Sequence, residues 1–108
     1  MGIDRETGEE LSRVDAVRQS VLTILTTPIG TRVRRREFGS RLYELVDGPL
    51  TPALLMMLYV ATVEAIDRWE PDADVVRVRH EVRVGAVAIW ADLLVDGVST
   101  SVEVELAA

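Results

Sequence analysis

Hydrophobic positions recur along this chain with two different periods. Leu11, Val14, Val17, Val21, Leu22, Ile24 and Leu25 fall mainly on one face of a 3.6-residue helix, with Arg13, Asp15, Arg18 and Gln19 mostly off it. Ser12 predicts the N-cap, with Asp15 three residues on. Pro28 disfavours helical geometry at Thr27, and Gly30 completes the stop. Leu42, Leu45 and Val46 predict a short helical turn, halted by Asp47-Gly48-Pro49. Thr51-Pro52 then predicts a strong helix start, Thr as N-cap and Pro in the first helical position. That helix should run to Arg68 or Trp69, where Pro71 forbids continuation. From Ala53 to Ala61 it is apolar almost all round, where a surface helix would show a polar stripe. Either this helix is central or one of its faces meets a partner.

The last third changes to a period of two. Val76, Val78, Val82 and Val84 alternate with Arg77, Arg79, Glu81 and Arg83, which predicts a half-buried strand with His80 on its apolar face. Val87, Ile89, Ala91, Leu93 and Val95 form the inward set of a second strand. Asp96-Gly97 is a strong hairpin signal, and Val98, Thr100, Val102, Val104 and Leu106 form the inward set of a third. Helices followed by strands give an α+β fold: N-terminal helices packed on one face of a C-terminal antiparallel three-stranded meander. Residues 32–37 add a candidate short edge strand with Val33 pointing inward.

The length of 108 residues suits one domain. Met1 to Glu10, polar and acidic, reads as a flexible or docking tail and not as a signal peptide; residues 11–108 read as a single α+β domain. A net charge of −6 argues against general nucleic-acid binding and against docking on anionic lipid. The apolar run from Ala53 to Ala61 is far short of the ~20 residues that span a bilayer. With no cysteine there is neither a disulfide framework nor thiolate chemistry.

Against that acidic background, five of the twelve basic residues crowd into one stretch: Arg32, Arg34, Arg35, Arg36 and Arg41. All the basic residues are arginine, which forms bidentate carboxylate pairs and suits interfaces better than lysine does. Phe38-Gly39-Ser40 should make a turn, with Phe38 anchoring it to the core. Arginine beside an apolar anchor is typical of protein interfaces; the alternative is pairing with the chain's own Glu44, Glu64 or Glu70. Trp69-Glu70-Pro71 is the second marked site. Trp69 covers the core edge, Pro71 fixes the chain exit, and Glu70, held between them, is placed to accept an arginine fork from the cluster or from outside.

Catalytic constellations are weak by comparison. Glu64 and Asp67, three apart on a helix and followed by Glu70, have a spacing that overlaps that of glycosidase carboxylates. Nothing marks the apolar pocket that would keep one of them protonated. His80, mid-strand, reads as a hydrogen-bonded core or edge histidine. Asp72 and Asp74 read as turn caps, without the spacing of a calcium loop. No phosphate-binding glycine loop is present, and no cofactor or metal is implied.

Taken in order, these motifs resemble the W-type (gene 25-like) baseplate wedge proteins of contractile phage tails and related injection machines. The resemblance rests on Gly2-Ile3-Asp4-Arg5, on the run from Ile24 to Ser40 with its Thr-Thr-Pro-Ile-Gly-Thr-Arg and Arg-Arg-Arg-Glu-Phe-Gly-Ser segments, on Asp47-Gly48-Pro49 with Thr51-Pro52-Ala53, and on Trp69-Glu70-Pro71. It covers roughly two thirds of the chain; the strand-rich end matches in pattern only. It implies a small structural α+β protein, not an enzyme, in a virion or injection-particle baseplate assembled in the host cytoplasm. Its partners would be other wedge proteins, the sheath subunit and tail tube or hub proteins, with no nucleic acid, membrane or small-molecule substrate. The fold implied is similar to the sheath-subunit domain that interlocks by shared strands. Partner-binding residues on this reading are Arg32, Arg34, Arg35, Arg36, Phe38, Arg41, Trp69, Glu70 and Pro71. In the family the tryptophan is followed by Glu-Pro-Arg, a triad that helps bind the core wedge bundle. Here Glu70 and Pro71 match and Asp72 stands in place of the arginine, leaving Arg77 or Arg79 as candidates to supply the charge. Some family members carry a lysozyme-like label, so peptidoglycan hydrolysis is the alternative function, with nucleic-acid regulation behind it.

Overall fold

The computed structural model describes residues 5–32, 34–46 and 49–107, with side chains described from Ser12 onward. Three helices precede three strands: α1 (Arg5–Thr26), α2 (Leu42–Leu45), α3 (Pro52–Trp69), β1 (Asp74–Arg83), β2 (Ala86–Val95) and β3 (Val98–Ala107). The strands form an antiparallel meander in the order β1-β2-β3. α1 packs against β3 and α3 against β1, so both long helices cover one face of the sheet.

In α1 the buried stripe is Val14, Val17, Val21, Ile24 and Leu25, the 3–4 spacing of a one-faced helix. Burial of each such side chain stabilises the fold by about 1.5–3 kcal/mol. The helix begins at Arg5, not at Ser12 as its capping pattern suggested. Arg5, Glu6, Glu9 and Glu10 are good helix formers, and the single Gly8 costs only about 1 kcal/mol, so the preceding turns extend the helix through the segment expected to be a tail. Residues 1–4 lie outside the described residues, as do Val33, Asp47 and Gly48.

α3 follows its sequence closely. The Thr51 hydroxyl accepts from the Leu54 amide at 3.1 Å, with Pro52 in the first turn. Leu58, Ala61, Thr62, Ala65 and Ile66 form its buried stripe, and the Thr62 hydroxyl returns its proton to the Leu58 carbonyl at 2.8 Å. The helix is apolar beyond that stripe, and Met56 and Val60 stay 67% and 49% exposed.

The central strand β2 is buried along nearly its whole length, and Val87, Ile89, Ala91, Leu93 and Val95 meet the helices with Val102, Val104 and Leu106 of β3. Asp96 and Gly97 both take positive φ (51° and 81°) at the hairpin, the conformation that fits the strand twist. β1 departs from expectation. A bulge between Val75 and Arg77 breaks the alternation. Val75 and Val78 pack on the core, while Val76, Val82 and Val84 are exposed. β1 is an edge strand, paired on one side only, so its register alone does not bury every other side chain.

The expected edge strand at 32–37 is not formed. Arg32 and Arg34 to Glu37 lie in coil, bend and turn. The loop closes on itself instead: the Gly30 amide donates to the Arg36 carbonyl at 2.7 Å, and the Phe38 amide to the Arg35 carbonyl at 3.0 Å. Its return leg meets the end of α1. There the Ser40 amide donates to the Thr27 carbonyl at 3.0 Å and the Ser40 hydroxyl to the Leu25 carbonyl at 2.8 Å. Two carbonyls that a helix C-terminus leaves without an intrahelical partner are thereby satisfied.

On the sheet face away from the helices, Asp92 receives Arg79 through both carboxylate oxygens at 2.9 Å and Arg77 at 3.1 Å. Arg83 spans Glu103 and Glu105 at 3.1 and 3.0 Å, and the Arg79 and Arg83 guanidinium groups both lie 5.4 Å from the Trp90 ring.

Gly39 has φ +123°, and a Cβ there would lie 2.1 Å from the Thr27 carbonyl oxygen. Gly39→Ala should therefore cost about 2–4 kcal/mol in urea denaturation, far more than a surface Gly→Ala change. The hydrogen bonds from Arg79 outweigh desolvation and, with Arg77, hold the Asp92 carboxyl below its ordinary range. Its folded-state pKa thus lies below the unfolded value of about 3.9, so the pairing contributes fully above that pH and fades as pH falls through the folded-state pKa. Asp92→Asn should lower Tm by a few degrees at neutral pH, and the two proteins' Tm values should converge as pH falls through the folded-state pKa of Asp92.

Candidate partner-binding surface

The chain stop after α1 and the chain stop after α3 arrive at the same corner. Pro28 and Ser40 form a parallel bridge that brings the two legs of the arginine loop together. Gly39, able to lie flat on Thr27, lets Phe38 turn inward, where it is 9% exposed. Its ring meets Trp69, the last residue of α3, edge to face with centroids 5.2 Å apart. Such a pair adds about 0.5–1.5 kcal/mol beyond the area it buries.

Arginines cover this aromatic pair. The Arg32 guanidinium lies 4.2 Å from the Phe38 centroid, and Arg35 lies 5.6 Å from Phe38 and 4.9 Å from Trp69. Arg68, on the last turn of α3, lies 5.0 Å from Trp69 and pairs with Glu37 at 2.7 Å. Both partners of that ion pair are exposed, so it contributes no more than about 1 kcal/mol. The buried ring and its stacking hold the loop in place more than its charges do. Arg34 and Arg36 point to solvent, and Arg41 pairs loosely with Glu44 at 3.8 Å, beside Leu45, Met56 and Met57.

Glu70 does not take an arginine from the cluster. Its carboxylate accepts from the Ser20 hydroxyl at 2.7 Å, tying the exit of α3 to α1, while its amide closes α3 onto the Ile66 carbonyl at 2.8 Å. Pro71 is exposed, and Asp72 pairs with Arg13 at 3.6 Å, the same arginine that meets Asp96 at 2.5 Å. Arg77 and Arg79 are committed to Asp92 on the outer sheet face, so neither replaces an arginine at position 72.

The sequence singled out Arg32, Arg35, Phe38 and Trp69, and the fold unites them. It did not single out Arg68 or Ser20. The signal for Arg68 was present, since it neighbours Trp69 on the helix; Ser20 carried none, because its role depends on which helix face meets the α3 exit.

A second surface lies along the free edge of β1. Val60 and Val63 of α3 face Val75, Val76 and Val78 across an open groove of about 430 Å³. Met56 and Val60 also border a smaller groove of about 230 Å³ beside Arg41 and Leu45. The opposite sheet edge is less open: Arg18 donates to the Ser101 carbonyl of β3 at 3.2 Å.

The acid and base candidates stay apart from any enclosed site. Glu64 and Asp67 are exposed on α3, and Glu70 is engaged with Ser20. His80 shares a hydrogen bond with the Tyr59 hydroxyl on the sheet edge. Among the described residues, no cluster of three or more His, Asp or Glu is placed to hold a metal ion. No described helix is long and apolar enough to cross a membrane.

Comparison with known proteins agrees with the motif pattern. Residues 11–96 match the family model described as Baseplate wedge protein gp25. Baseplate protein W of Escherichia phage P2 is 41% identical over 71 residues, which are 66% of this chain and 62% of that protein. The match thus spans a little under two thirds of that relative's length. A chain of the postcontracted pyocin R2 baseplate superposes with a TM-score of 0.59 at 29% identity, covering 87% of this chain and 84% of its own length. A candidate tail lysozyme from Geobacter sulfurreducens superposes more closely, with a TM-score of 0.76 over all of this chain and 94% of its own. At 22% identity that likeness shows the fold alone. With most of its length matched by the family model, this chain belongs to the baseplate wedge protein gp25 family.

Proposed function

We propose that this chain is a non-catalytic wedge subunit that joins the baseplate wedge and hub to the first sheath ring of a contractile tail or injection machine. The observation that carries this is the corner itself. Two motifs distant in sequence, those of Phe38 and Trp69, form one exposed tray of Arg32, Arg35 and Arg68 over a shared aromatic base. An arginine-covered aromatic pair is the composition of an interface anchor. On this reading the corner, with Arg34, Arg36, Glu70 and Pro71 around it, meets neighbouring wedge proteins.

The β1 edge and its apolar groove supply a second contact, suited to a strand from a sheath subunit. An unpaired edge offers main-chain hydrogen bonds, and Val60, Val63 and Val76 offer apolar pockets for alternate side chains. Peptidoglycan hydrolysis finds less support. Its carboxylates would be Glu64, Asp67 or Glu70, and the first two sit on an open helix surface.

Arg35→Glu combined with Glu70→Ala should leave the domain folded by circular dichroism and stop particle assembly; normal contractile particles in electron micrographs would overturn the assignment. Val60→Glu with Val76→Glu, both on exposed groove walls, should change stability by less than about 1 kcal/mol while reducing the yield of sheathed particles. The purified protein should not clear a cell-wall suspension, and clearance abolished by Glu70→Gln would point to the hydrolase instead.

A further inference from the structure

The Arg32 and Arg35 guanidinium groups lie over the aromatic pair, while Arg68 beside them is already paired with Glu37. Among the described residues, the Arg32, Arg34, Arg35 and Arg36 side chains donate no hydrogen bond and have no carboxylate within 4 Å. All four are exposed. Arg35 is the one of the four that lies over both rings of the aromatic pair, 5.6 Å from Phe38 and 4.9 Å from Trp69. A planar fork fixed in this way loses little rotamer freedom when it accepts a bidentate anion.

Carboxylates and phosphates both fit such a fork. The surroundings separate them. The chain carries a net charge of −6, and exposed Glu64 and Asp67 lie on α3 just before Arg68 and Trp69. Glu64 lines the same small depression as Arg68 and Trp69. A nucleic-acid strand, charged at every nucleotide, would run from the tray onto these acids. One or two carboxylates on a partner segment would engage the tray and stop there.

We infer that the Arg32–Arg35 tray is a receptor for an acidic peptide segment of a partner protein, with Arg35 forming a bidentate pair to an Asp or Glu carboxylate. This rests on the corner being a partner contact, as proposed above, and names the chemistry of what it binds. The net negative charge of the rest of the chain confines that recognition to this loop, so the same charge that repels polyanions supplies specificity.

The test is a two-dimensional NMR titration of the intact chain with two probes. One is a twelve-residue alanine–glutamate helical peptide, the other a single-stranded DNA of matched charge. The expected result is a shift of the Trp69 indole N–H by the peptide, with the Trp90 indole unmoved. Affinity should fall tenfold or more in Arg35→Gln and stay unchanged in Arg77→Gln, which lies on the outer sheet face. No Trp69 shift at millimolar peptide, or tighter binding of the DNA at physiological salt, would overturn the inference. Particle assembly separates this from the wider proposal. If Arg35→Glu blocks assembly while the wild-type chain ignores the peptide, the corner remains a contact and the carboxylate assignment falls. If Arg35→Glu particles assemble normally, both fall.

Discussion

The pivot of the molecule is the contact of Gly39 and Ser40 with the C-terminal end of α1. Ser40 satisfies the carbonyls of Leu25 and Thr27, and Gly39 lies against Thr27 where no side chain fits. A helix end otherwise leaves those carbonyls to water or to a cap. Here the cap is the far leg of a loop, so ending α1 and folding the arginine loop are one event. Phe38, immediately before, is thereby aimed at Trp69, and the arginines are carried onto the aromatic pair.

The α3 exit completes the arrangement from the other side. Glu70 closes α3 with its backbone and reaches Ser20 on α1 with its side chain. Arg13, further back on α1, reaches Asp72 in the following turn and Asp96 at the β2–β3 hairpin. These exposed ion pairs are individually weak. They join α1 to the turn after α3 and to the β2–β3 hairpin. Below the corner, β2 and β3 bury an almost complete apolar layer, while β1 and the outer side of α3 keep apolar side chains in solvent. That division of one domain into a closed core and an open edge fits a component whose burial is completed by neighbours.

Most of the fold was legible in the chain. The 3.6 period of Val14 to Leu25, the Thr51-Pro52 start and the Asp96-Gly97 turn each carry local chemistry that decides local structure. The departures have physical causes. The start of α1 moved to Arg5 because helix propensity continued past a plausible cap. The valines of β1 alternate as a half-buried strand would, yet a bulge and an edge position leave Val76 and Val82 exposed. The short strand at 32–37 was overruled because the loop satisfies its own amides and caps α1.

The sequence by itself determined the types of α1 to α3 and β1 to β3, the α+β order and the presence of two unusual segments, since these depend on neighbours within a few residues. It also carried the family, through motifs whose order survives in a single chain. Tertiary structure alone decided that Phe38 and Trp69 share one corner, that Glu70 bonds Ser20 and not an arginine, and that Arg77 and Arg79 serve Asp92. Partner choice among many arginines and acids is set by which backbone ends the packed core brings within a few ångströms. No spacing along the chain encodes that distance.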